Sequence, residues 1–96
     1  MPDTPSKPVN QKHLLRSDLP FPVVGIGASA GGIEALKTFF QHMPAEPGMA
    51  FVVVLHLSPH HESMLDRILQ SATSMPVVAV TRSVPVQRNH VYVIPP

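Results

Sequence analysis

The chain has 96 residues, 44% of them apolar, with 12 prolines, no cysteine and a net charge of +1 with histidine neutral. Such a length holds at most one small domain. The missing cysteines exclude a disulfide scaffold and a thiolate metal site, the lack of a basic stripe with interleaved aromatics argues against nucleic acid, and no apolar run approaches the roughly 18 residues of a membrane span.

Residues 1–20 place Pro2, Pro5, Pro8 and Pro20 among polar and charged residues, a composition that predicts a flexible tail or linker. The start has no charged-then-apolar signal segment. From Phe21 the character changes. Residues 21–27 read as a buried strand, and the run Val23-Val24-Gly25-Ile26-Gly27-Ala28-Ser29-Ala30-Gly31-Gly32 carries it into a glycine-rich turn with one serine at its apex. Gly27 to Gly31 fits G-x-S-x-G, the strand-to-helix turn that exposes a nucleophilic hydroxyl. Residues 31–43 follow as a helix with Ile33, Leu36, Phe39, Phe40 and Met43 along one stripe, ended by Pro44 and the Pro47-Gly48 pair.

Residues 49–57 are apolar at nearly every position, which predicts a second strand buried on both faces, as in a parallel sheet. Ser58 then Pro59 reads as an N-cap and first helical position. The helix they open is expected to reach about Thr73 and to bury Met64, Leu65, Ile68 and Leu69. Residues 76–80 form a third strand, and residues 84–86 and 90–94 two short strands turning at Arg88 and Asn89. The β-α-β-α-β order implies right-handed crossovers and a doubly wound, three-layer α/β sheet. Three buried strands need helices on both faces, and two helices do not supply them. A domain cut after about three βα units is therefore expected.

Ligands of open parallel sheets bind beyond the carboxyl ends of the strands. Ser29 lies just past the first predicted strand and His56 at the end of the second. If these strands are neighbours, hydroxyl and imidazole share one rim, and a histidine within hydrogen-bond reach activates a serine by taking its proton. The pair points to acyl transfer. A carboxylate that holds the imidazole would complete it, yet none of Asp3, Asp18, Glu34, Glu46, Glu62 and Asp66 follows an apolar strand at its carboxyl end.

Other readings are weaker. Ser29 could instead cap the helix. His56, His60 and His61 invite a metal, but adjacent helical histidines diverge by about 100°, and no cysteine or carboxylate completes a set. Gly25, Gly27 and Gly31 are spaced G-x-G-x-x-x-G, one residue too long for a dinucleotide fingerprint, and the second strand ends in His56-Leu57-Ser58 where a ribose-binding acid is expected. His90 reads as a turn residue.

From about Phe21 to Pro96 the chain resembles the catalytic domains of chemotaxis protein-glutamate methylesterases (CheB-type). The resemblance rests on Val23-Val24-Gly25-Ile26-Gly27-Ala28-Ser29-Ala30-Gly31-Gly32-Ile33-Glu34-Ala35-Leu36, on Val52-Val53-Val54-Leu55-His56-Leu57-Ser58-Pro59, and on Asn89-His90-Val91-Tyr92-Val93-Ile94-Pro95-Pro96. The stretch from His56 to Ser63 is most similar to the version in fusions of methylesterase and methyltransferase modules.

That resemblance implies a cytoplasmic serine hydrolase of chemotaxis signalling, acting without cofactor or metal on glutamyl methyl esters of chemoreceptor helices and, in many members, deamidating receptor glutamines. Ser29 matches the nucleophile and His56 the base, with the backbone N–H groups of Ala30 and Gly31 as oxyanion donors. Methyltransferase or receiver modules are the further partners it implies. The family aspartate falls in a glycine-rich segment further along the domain than Pro96, so this chain alone is expected to show little or no esterase activity. Stand-alone members carry an N-terminal receiver domain, for which residues 1–20 are too few. The competing expectation is a non-catalytic remnant or receptor-docking module.

Overall fold

A computed structural model describes residues 19–56 and 64–95. The expected tail, apart from its last two residues, and the Ser58-Pro59 helix start lie outside the described residues, as do His60, His61 and Glu62. The element order is β1 (Val23–Ser29), a 3₁₀ turn (Ala30–Gly32), α1 (Ile33–Gln41), β2 (Ala50–His56), α2 (Leu65–Gln70), β3 (Val77–Ala79) and β4 (Val91–Ile94). All four strands are parallel, in the spatial order β1-β2-β4-β3. This is the α/β architecture expected from the alternation of apolar runs and helical stripes.

The boundaries move by a few residues. β1 starts and ends two residues later than expected, so Ser29 is the last residue of the strand rather than part of the loop beyond it. The turn from β1 into α1 is 3₁₀, and α1 stops at Gln41, where the backbone N–H of His42 still reaches the carbonyls of Thr38 and Phe39. Only one of the two short strands expected near the end forms. Residues 84–86 are not a strand; Pro85 has no N–H to give to a ladder, and β4 pairs with β2 and β3 instead.

The core lies on one face of the sheet. Phe51, Val53 and Leu55 of β2 and Val91 and Val93 of β4 point the same way, with Val24, Ile26 and Ala28 of β1 beside them. Leu36 and Phe40 of α1 and Leu65 and Leu69 of α2 cover them. The rings of Phe40 and Phe51 meet edge to face at 5.3 Å, and Phe39 leans on both, a geometry that aromatic quadrupoles favour. Ile68 is only half-buried and Met64 is 51% exposed, at the N-cap of a helix shorter than expected.

The second strand is not buried on both sides. Its pattern alternates, and Val54 is 49% exposed. The reason is topological. α1 and α2 both pack on the core face, so among the described residues no helix covers the face carrying Val23, Gly25, Gly27, Val52 and Val54. Near β4 that face is closed by a loop. Tyr92, buried there, accepts a hydrogen bond from the Gln87 N–H (2.8 Å) and donates one to the Pro85 carbonyl (3.1 Å).

Two polar clamps hold the turns. Gln70 donates to the carbonyls of Thr73 and Met75 and accepts from the N–H of Val77, tying the end of α2 to the start of β3. Asn89, at a left-handed φ of 63°, accepts from the Gly48 N–H at 2.7 Å and donates its own N–H to Met49 at 2.8 Å. Asparagine tolerates that conformation better than most residues.

Replacing Tyr92 with Phe removes its bonds to the Gln87 N–H and the Pro85 carbonyl and is expected to cost about 0.5–1.5 kcal/mol per bond in a denaturant titration. Asn89→Ala is expected to lower the unfolding midpoint more than Asn89→Gly, because glycine keeps the left-handed backbone and loses only the side-chain bond.

Candidate active site

Backbone pairing brings Ser29 and His56 together. β1 and β2 run in parallel register from Val23 opposite Ala50 to Ser29 opposite His56. Neighbouring strands lie about 4.8 Å apart, and partners at one register position present their side chains to the same face. Both residues are the last of their strands and both are exposed, so hydroxyl and imidazole share the carboxyl rim on the face that α1 and α2 leave open. Neither Ser29 nor His56 makes a side-chain hydrogen bond among the described residues. Catalytic bonds are often loose before substrate arrives.

Ser29 does not cap the helix. Its backbone is extended (φ −87°, ψ 173°), and its side chain makes no capping bond to the turn that follows. The hydroxyl is therefore not spent on local structure. Ala30 and Gly31 occupy the first two positions of that turn, where N–H groups have no acceptor within the helix. With the helix dipole behind them, such groups favour negative charge forming on an oxygen beside Ser29.

No carboxylate among the described residues holds His56. Glu34, in the first turn of α1, faces Lys37 at 3.7 Å. Asp66 belongs to the first turn of α2, and Glu46 to the exposed loop before β2. Nor do the described residues contain a cluster of three or more metal-binding side chains. His90 sits just before β4, at the amino end of the sheet and far along it from Ser29. Its ring stacks on Tyr92 at 6.0 Å and its Nδ1 lies 2.9 Å from the Arg88 carbonyl, as a turn residue would.

Two features where β1 meets α1 escape the motif. An apolar cavity of about 440 Å³ runs between β1 and α1, lined by Val24, Ile26, Ala28, Gly32, Leu36 and Phe39. Phe39, one of the five residues of the predicted helical stripe, is 41% exposed. Gly32 stands one place beyond G-x-S-x-G, yet a Cβ there would meet the Ala28 Cβ at 3.1 Å. The doubled glycine after Ala30 is the signal for it in the sequence.

The family model for CheB methylesterase matches residues 24–96. A Rhizobium johnstonii protein named protein-glutamate methylesterase/protein-glutamine glutaminase 2 is 36% identical over 74 residues, covering 76% of this chain and 20% of the relative. A Leptospira interrogans relative is 30% identical over 76 residues, 79% of this chain and 39% of its own length. The crystal structure of the Thermotoga maritima CheB methylesterase catalytic domain superposes with a TM-score of 0.72 at 27% identity, over 80% of this chain and 41% of that one. The chain thus spans about two-fifths or less of the proteins it matches. With the family match over three-quarters of its length and the parallel sheet in common, the chain belongs to the CheB methylesterase family.

Proposed function

We propose that this chain carries the nucleophile and base of a protein-glutamate methylesterase. The substrates would be the glutamyl methyl esters, and also the glutamines, of cytoplasmic chemoreceptor helices. The observation that carries the reading is the register of Ser29 against His56 at the carboxyl rim of a parallel sheet. The names of the relatives supply the substrate class. The described helices include none long and apolar enough to cross a membrane.

In this reading the Ser29 oxygen attacks the ester carbonyl as His56 takes its proton. The carbonyl oxygen gathers negative charge facing the N–H groups of Ala30 and Gly31. His56 then returns the proton to the departing methoxide, which leaves as methanol, and an acyl-serine remains. Water, deprotonated by His56, attacks the acyl group and releases glutamate and free Ser29. With a glutamine the leaving group is ammonia.

A histidine without an orienting carboxylate is a poor base. Losing that partner costs about 10⁴ in kcat in a serine protease whose site is otherwise intact. Slow turnover is expected from these 96 residues alone. Methanol release from methylated receptor by the purified chain, with ammonia release from unmodified receptor in parallel, tests the reading. Slow release that vanishes in Ser29→Ala is the expected result. Equal release by both proteins would mean that Ser29 is not the nucleophile and would favour a docking module. Exchanging His56 for Gln is expected to slow covalent labelling of Ser29 by a fluorophosphonate by about 10²-fold or more, read by intact-protein mass spectrometry.

A further inference from the structure

We propose that Gly32 is a positioning residue for Ser29, an inference that rests on the reading of Ser29 as nucleophile. Its lack of a side chain lets the 3₁₀ turn lie against the Ala28 methyl and so fixes where the hydroxyl stands relative to His56.

The backbone does not require glycine at this position. Gly32 has φ −91° and ψ 3°, angles open to other residues. The reason is steric. An added Cβ would lie 3.1 Å from the Ala28 Cβ, closer than such atoms normally come. The neighbouring glycines differ. A Cβ at Gly25 or Gly27 meets nothing within 4 Å, and one at Gly31 meets only the Ser29 Oγ, at an ordinary 3.8 Å.

Ala28 is bonded directly to Ser29, and Gly32 closes the turn that contains Ala30 and Gly31. A methyl at residue 32 therefore pushes two things apart: the end of β1 with its hydroxyl, and the turn with its free N–H groups. His56 sits on β2 and does not follow. Geometry of this kind is sensitive, since a misplacement of about 1 Å can cost about 10²-fold in rate. Close approach of a helix start to the preceding strand is a recognised use of glycine in parallel α/β folds.

The test uses the full chain and four variants: Gly32→Ala, Ala28→Gly, the double variant and Gly25→Ala. Two quantities are read in each. One is the rate of Ser29 labelling by a fluorophosphonate, with Ser29→Ala as blank. The other is the Ser29 amide position in a ¹H–¹⁵N spectrum. Gly32→Ala is expected to slow labelling about fivefold and to move the Ser29 amide. Removing the Ala28 methyl as well should bring the rate back to within about twofold of Ala28→Gly alone. Gly25→Ala, the same chemical change without the collision, should leave both readouts in place.

Labelling of Gly32→Ala at the wild-type rate with an unmoved amide overturns the proposal. So does a loss that Ala28→Gly fails to rescue, including a loss through unfolding. If wild type labels no faster than the Ser29→Ala blank, the nucleophile reading falls. The amide then decides Gly32 by itself: a shift that the double variant reverses supports the steric role, and an unmoved amide refutes it.

Discussion

Seven consecutive residue pairs join β1 to β2, from Val23 opposite Ala50 to Ser29 opposite His56, and this ladder places everything else of interest. It sends Val24, Ile26 and Ala28 to the same face as Phe51, Val53 and Leu55, where both helices gather. It sends Ser29 and His56 to the other. The site is thus a by-product of how the core is built. The strands pair to bury one set of side chains, and the last residues of the other set become neighbours at the rim.

That ladder is legible in the chain because its components are local. Valine-rich runs ending in Gly27 and in His56 mark two strands, and the helical stripe between them marks a crossover, which requires the strands to be parallel. The order and spacing of the motifs around Ser29 and His56 identified the family, as the match over residues 24–96 bears out. The less legible parts are those decided at a distance. Val54 looks as apolar as Val53, and only the one-sided placement of α1 and α2 makes one exposed and the other buried. Residues 84–86 alternate like a strand but give way because β4 finds both its partners elsewhere, while Tyr92 ties the Pro85 segment down by its hydroxyl. Gly32 has no local signature beyond being a second glycine, and its contact with Ala28 exists only once the turn has closed.

The chemistry divides along the same line. A nucleophile, a base and oxyanion donors can all come from one βαβ unit, because the carboxyl ends of adjacent parallel strands and the helix start between them converge. Among the described residues, a carboxylate that would orient His56 has no such local source. Glu34 faces Lys37, and the other described acids belong to α2 and to the loop before β2. What the described residues assemble is a serine and a histidine at one rim, the part of the proposed site that short-range topology can deliver.

The clamp between Asn89 and the Gly48-Met49 turn stands at the opposite end of β2 from His56, yet it bears on the imidazole. Side chains on a strand switch sides at every residue, so a slip by one position moves them all across the sheet. By holding the turn where β2 begins, Asn89 supports the register that the ladder with β1 sets. A slip by one position would exchange His56 and Leu55, turning the imidazole towards the helices and the leucine out to the rim.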